Sequence, residues 1–142
     1  MKKTEPVRRF NRWYAEVLGV FDNHAFGTEY SLTQGRILEE ISLAPRCTAN
    51  EISALLHIDR GYLSRLLTDL EKRGLLQRIA SSDDRRRKEL VLTEQGKRAW
   101  QMLDRKSDAF VKQTTAGLSD EDFHRLTDAM KEIMDLLGRD AG

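Results

Sequence analysis

Residues 48–74, TANEISALLHIDRGYLSRLLTDLEKRG, decide how this chain is read. Thr48 and Glu51 stand at capping-box spacing, where a hydroxyl and a carboxylate satisfy the first free amides of a helix. Ile52, Leu55 and Leu56 then fall on one side of a short helix. His57 and Ile58 break it. Asp59 is a good N-cap for a second helix running to Arg73, and Gly74 is the residue type that ends a helix in left-handed backbone. Leu63, Leu66, Leu67 and Leu70 follow i, i+3, i+4, i+7 spacing and form a stripe to be buried, with Arg60, Gly61, Ser64, Arg65 and Thr68 opposite. Two capped helices joined by so short a turn predict a helix-turn-helix.

Reading outward, Leu76–Ala80 predicts a strand and Ser81-Ser82-Asp83-Asp84 a turn. Leu90 and Leu92, alternating with Glu89 and Val91, predict a second strand. Arg85, Arg86, Arg87 and Lys88 lie between, at the tip of a hairpin, which makes the hairpin a wing. Thr93 caps a long helix to about Thr115, with Ala99, Trp100, Leu103, Phe110 and Val111 apolar. Ser119 caps a last helix, with Phe123, Leu126, Met130, Ile133, Met134 and Leu137 on one stripe. On the other side, Val7, Phe10, Tyr14, Val17, Leu18 and Phe21 predict a helix over 7–21, followed by a loop over 22–31. Ser31 and Gln34 form another capping box, opening a helix with Ile37, Leu38 and Ile41 that ends before Pro45. The expected fold is mainly α with a small β-hairpin wing. A single domain spans 1–142, with a winged helix-turn-helix core over about 32–93 and flanking helices over about 5–22 and 94–138.

The 142 residues suit one core, and 33% are charged. The longest apolar runs are a few residues, far short of the roughly 18 that cross a bilayer. Glu5, Arg8, Arg9 and Arg12 interrupt any signal-like start. One cysteine and three histidines give neither a disulfide nor metal-ligand spacing. No Gly-rich phosphate loop, nucleophile elbow or His-Glu-x-x-His occurs, and the carboxylates are scattered along helix surfaces. These features predict a cytoplasmic protein without membrane partner, metal or cofactor, and not an enzyme.

Net charge is only +1, yet residues 57–88 hold nine Lys/Arg against five Asp/Glu. A basic segment in a neutral chain is the footprint of a local polyanion contact; a merely solvated charged face is the alternative, and geometry favours the first. The major groove of duplex DNA admits one α-helix, and the helix opening at Asp59 has an apolar face to hold it and a polar face to present. Arg60 or Arg65 suits a guanine edge, while Ser64 and Thr68 suit bases or phosphate. Gly61 permits close backbone approach near the helix N-terminus, where free amides favour phosphate. Thr48 and Tyr62 complete the candidate interface. At the wing, an arginine suits a narrow minor groove and its neighbours suit phosphates. One carboxylate of Asp83 or Asp84 is expected to orient a wing arginine.

The stretch Asp84-Arg85-Arg86-Arg87-Lys88-Glu89-Leu90-Val91-Leu92-Thr93-Glu94-Gln95-Gly96 resembles the wing of MarR-family winged-helix transcriptional regulators, with its Asp-x-Arg and Leu-x-Leu-Thr-x-x-Gly. Leu70 to Arg78 resembles that family's exit from the recognition helix. Segments including Val7–Tyr14, Ser31-Leu32-Thr33 and Asp59–Arg65 are similar to a subgroup often followed by a GNAT-type acetyltransferase domain. A chain ending at Gly142 leaves no room for one, so it is a stand-alone regulator or the regulatory domain of such a fusion. The resemblance implies a homodimer with interlocking first and last helices, probing a palindromic operator as a ligand-responsive repressor. The apolar stripes of those helices agree, having little other protein to cover them; a monomer core is the alternative. It further implies a small aromatic or phenolic effector, with Trp13, Tyr14, His24 and Arg36 as wall residues, although aromatics on a stripe also suit a core. Cys47, just before a helix N-terminus, has a position that can lower a thiol's pKa; peroxide-sensing members carry their cysteine in the first helix, and this chain has none there. A winged helix serving only protein interaction stands as a further alternative, against which four consecutive cations speak.

Overall fold

The computed structural model describes residues 2–19 and 24–138. Two compact units divide the chain, one over 1–106 and the other over 107–142.

In the first unit, α1 (Glu5–Leu18) ends at Gly19, whose positive φ of 73° closes the helix. The expected extension to Phe21 lies outside the described residues, as do Asp22 and Asn23 of the predicted loop. A short 3-10 turn (Ala25–Gly27) precedes α2 (Leu32–Leu43). Both halves of the Ser31/Gln34 capping box form: the Gln34 amide donates to Ser31 Oγ, and the Ser31 amide donates to Gln34 Oε1. α3 (Ala49–Leu56) and α4 (Arg60–Lys72) follow. They are joined by His57 in left-handed backbone and by Ser53, whose hydroxyl donates to the Ile58 carbonyl at 2.7 Å. β1 (Leu76–Ala80) and β2 (Lys88–Leu92) pair antiparallel, with Leu76 opposite Leu92 and Ala80 opposite Lys88. The peptide at Arg46–Cys47 adds a rung the sequence did not announce. The Arg46 amide donates to the Leu90 carbonyl, and the Leu90 amide to the Cys47 carbonyl at 2.8 Å. α5 (Glu94–Thr115) leaves the wing, and its first half supplies Ala99 and Leu103 to the core.

That core gathers Ile37, Leu38 and Ile41 of α2, Ile52 of α3, Leu63, Leu67 and Leu70 of α4, and Leu76 and Leu90 of the hairpin. Leu66, expected among the buried leucines, is half-buried. Turning α4 over would expose three leucines at about 1.5–3 kcal/mol each, so its apolar face fixes where its polar face points.

Gly96 anchors the base of the wing. A Cβ there would lie 1.9 Å from the Leu75 carbonyl oxygen, so no other residue fits without moving backbone. Around it, the Thr93 amide donates to that same carbonyl at 3.0 Å. The Thr93 hydroxyl donates to the Gly74 carbonyl at 2.7 Å and accepts from the Gly96 amide, capping α5.

In the second unit, α6 (Asp120–Leu137) is capped by Ser119, whose hydroxyl accepts from the Asp122 amide. No residue of α6 is buried, and Phe123, Met130, Ile133, Met134, Leu136 and Leu137 are exposed. In α1, Val7, Phe10 and Trp13 are likewise exposed. Among the described residues, neither stripe contributes to the hydrophobic core of the first unit.

Candidate nucleic-acid interface

α4 opens with Asp59, whose carboxylate accepts the Tyr62 amide at 3.0 Å. Gly61 sits tightly against this cap, because a Cβ there would come within 3.1 Å of Asp59 Oδ2. Arg60, Gly61, Tyr62, Ser64 and Arg65 are exposed along the helix. Thr68 is half-buried, and its hydroxyl accepts from Arg78 Nη2 of β1 at 3.3 Å. Arg78 also faces Glu71 of α4 at 3.8 Å, so β1 is tied to the helix through one guanidinium. Behind them, Gln34 Nε2 donates to Asp69 at 2.8 Å, and Asp69 holds Arg73, whose guanidinium lies 5.3 Å from the centre of the Tyr30 ring.

Thr48 caps α3 by accepting the Glu51 amide at 3.2 Å. The reciprocal half of the expected box is not made; instead Glu51 reaches the wing, where it pairs with Arg87 Nη2 at 2.8 Å. This corrects the expected role of Asp83 and Asp84. Asp84 Oδ1 accepts the backbone amide of Arg86 at 2.9 Å and its carbonyl accepts that of Arg87 at 3.0 Å, so it shapes the turn. A turn carboxylate one or two residues from its arginine meets backbone amides first, whereas Glu51 approaches from another element. Arg85, Arg86 and Lys88 are exposed and make no ion pair to any described residue. The interface therefore has free cations on α4 and on the wing, and one wing cation already engaged.

Of the four residues proposed for an effector wall, Trp13 and Tyr14 are in ring contact with each other, and His24 and Arg36 make other described contacts. Tyr14 stacks with Phe10 and with Trp13 along α1, and Trp13 lies tilted against Phe10, with ring centroids 5.5–6.4 Å apart. Trp13 borders an open hollow with Glu5, Pro6, Arg9, Phe10 and Arg12, but Tyr14, His24 and Arg36 do not line it. The His24 ring bonds the Thr28 carbonyl at 2.8 Å, and Arg36 pairs with Glu40 within α2. Cys47 also departs from expectation. Burial first, then the Glu51 carboxylate, pushes its thiol pKa up rather than down.

Helix-turn-helix plus hairpin, with cations on both, defines a winged-helix protein. Residues 29–87 match the MarR family. A curated relative, described as an uncharacterized HTH-type transcriptional regulator, YybA of Bacillus subtilis strain 168, is 21% identical over 114 residues, covering 79% of this chain and 76% of that protein. Among solved structures, Streptococcus pneumoniae FabT in complex with DNA superposes with a TM-score of 0.75 at 22% identity, over 96% of this chain and 97% of that one. The PcaV transcriptional regulator of Streptomyces coelicolor superposes at 0.79 with 20% identity, over 93% and 96%; PcaV with its natural ligand gives 0.70 at 19%, over 95% and 93%. YybA and PcaV are both described as transcriptional regulators. Among the described residues, no helix is long and apolar enough to cross a membrane.

Proposed function

We propose that this protein is a sequence-specific, DNA-binding transcriptional regulator of the cytoplasm, acting as a homodimeric repressor on a palindromic operator. One observation carries the reading: α4 buries Leu63, Leu67 and Leu70 while exposing Arg60, Gly61, Tyr62, Ser64 and Arg65, beside a wing whose Arg85, Arg86 and Lys88 are also exposed. In this reading α4 enters a major groove, Arg86 reaches the adjacent minor groove, and Arg85 and Lys88 neutralise phosphates. The DNA complex of FabT, of the same fold, supports it. The exposed apolar stripes of α1 and α6 support the dimer, since burying them across a two-fold axis removes large apolar faces from water. Two recognition helices would then lie about 34–36 Å apart, one turn of DNA. PcaV with its natural ligand supports responsiveness to a small molecule, for which an aromatic or phenolic effector remains our reading.

The test is mobility shift of the full chain on its own upstream region and on a scrambled duplex of equal composition, across several salt concentrations. A steep salt slope with preference for the upstream region is expected. Absence of binding to either duplex at low salt overturns the reading.

A further inference from the structure

Arg87 behaves unlike its neighbours. Its backbone is fixed at the foot of the wing loop: the Ser81 amide donates to its carbonyl at 2.8 Å, and its own amide donates to Asp84. Its side chain leaves that fixed point and meets Glu51, in the first turn of α3 and 36 positions earlier in the chain, at 2.8 Å. β1 is tied separately, by Arg78 to Thr68 and Glu71 of α4. The wing is thus strutted to both helices of the helix-turn-helix, once from β1 through Arg78 and once from the loop residue that precedes β2, Arg87.

Glu51 also stands on the first turn of the helix that precedes the recognition helix. An unpaired carboxylate there would repel a phosphate backbone; paired with Arg87, it does not. Both side chains are about half-exposed, 51% and 53%, and such a surface pair adds little to global stability. Its consequence is geometric: it sets where Arg86, the next residue up the loop, points.

We propose that Glu51 and Arg87 form a clamp that holds the wing at a fixed angle on α3. Arg87 is a positioning residue for the wing's DNA-contacting cations and is not itself a phosphate contact. This rests on the DNA-binding reading above.

The test compares the full-length wild type with Glu51→Gln, Arg87→Ala and the double variant. The probes are a duplex that the wild type selects from a randomised pool and a scrambled duplex of equal composition. Amide hydrogen exchange over residues 82–86 is measured without DNA. Each single variant is expected to lose discrimination roughly fivefold and the double to lose no more, as for residues acting as one unit. Exchange over 82–86 should quicken in all three, with melting temperature and the salt slope of Arg87→Ala at wild-type values. The clamp is overturned if Arg87→Ala lowers the slope by about 0.9, the value of one lost phosphate contact, while Glu51→Gln binds as wild type. Unchanged exchange in both single variants overturns it too. A wild type that selects no sequence and shifts neither duplex at low salt fells the regulatory reading, and the DNA-positioning role with it; discrimination retained by the variants fells the clamp alone.

Discussion

Adding one methyl group at two glycines should change stability in opposite directions. At Gly96 the new Cβ would stand 1.9 Å from the Leu75 carbonyl oxygen, with the Leu75 carbonyl carbon at 2.9 Å. Both are backbone atoms, so the overlap is not relieved by a side-chain rotation. Either α5 or the strand entry must retreat, stretching the Thr93-to-Leu75 and Thr93-to-Gly74 hydrogen bonds of 3.0 and 2.7 Å. Overpacking costs up to about 3 kcal/mol, and alanine's better helix propensity returns about 1, leaving a net loss of about 2 kcal/mol for Gly96→Ala. For a chain of this size that lowers Tm by roughly 8 °C. At Gly35, inside α2, the nearest foreign atom is Leu103 Cδ1 at 3.9 Å, an ordinary contact. There the propensity gain stands alone, and Gly35→Ala should stabilise by about 0.5–1 kcal/mol. Thermal and urea unfolding followed by circular dichroism at one fixed protein concentration measure both, because association makes Tm concentration-dependent. A Gly96→Ala protein melting at or above wild type would show that α5 does not press on Leu75 as described.

Arg65→Ala should weaken binding to a selected duplex by about 1–3 kcal/mol and relax preference at one base position, whereas Arg86→Ala should weaken binding without altering the fold; a uniform loss in the first, or wild-type affinity in the second, refutes the assigned contact. Ile133→Glu in α6 should shift sedimentation toward the monomer and abolish high-affinity operator binding, and an unchanged oligomeric state would refute the proposed two-fold interface. Cys47 should resist thiol reagents in the folded chain and react after urea, and peroxide should leave operator affinity unchanged. Burial raises the pKa of the Cys47 thiol and, together with Glu29, that of the Tyr30 phenol. Groups held above their ordinary values favour the fold while protonated, so stability should be whole below roughly pH 8.5 and fall as pH climbs beyond it. A flat Tm through the alkaline range would contradict this.

What the sequence made legible was local. Caps at Ser31, Thr48, Asp59, Thr93 and Ser119, the leucine stripe of α4 and the wing's alternation are each set by neighbours a few positions apart, and these elements form as expected. The missed contacts join distant segments: Arg87 to Glu51, Gln34 to Asp69 and Leu90 to the Arg46–Cys47 peptide. No spacing rule predicts which of many surface carboxylates an arginine will reach. Gly96 was readable as a motif position, but its reason, the Leu75 carbonyl, exists only once α5 is docked. Cys47 was misread for a related cause, since proximity to a helix start is visible in sequence and burial beneath the wing is not.

The hydrogen-bond inventory of the candidate interface argues for what it meets. Thr48 and Thr68 oxygens already accept, from the Glu51 amide and from Arg78, so their hydroxyl hydrogens are left to donate. The carboxylates at the starts of α4 and α3 each accept a donor: Asp59 from the Tyr62 amide and Glu51 from Arg87. Arg60, Arg65, Arg85, Arg86 and Lys88 can only donate. With Asp59 and Glu51 each accepting a donor from the protein and five cations that only donate, this surface is complementary to a partner rich in acceptors and negative charge. Phosphate oxygens and the guanine major-groove edge, with N7 and O6, are such partners. A protein surface, which presents amide donors and acceptors in equal measure, would leave many of these donors unsatisfied, and that distinction favours duplex DNA over a protein ligand for this wing.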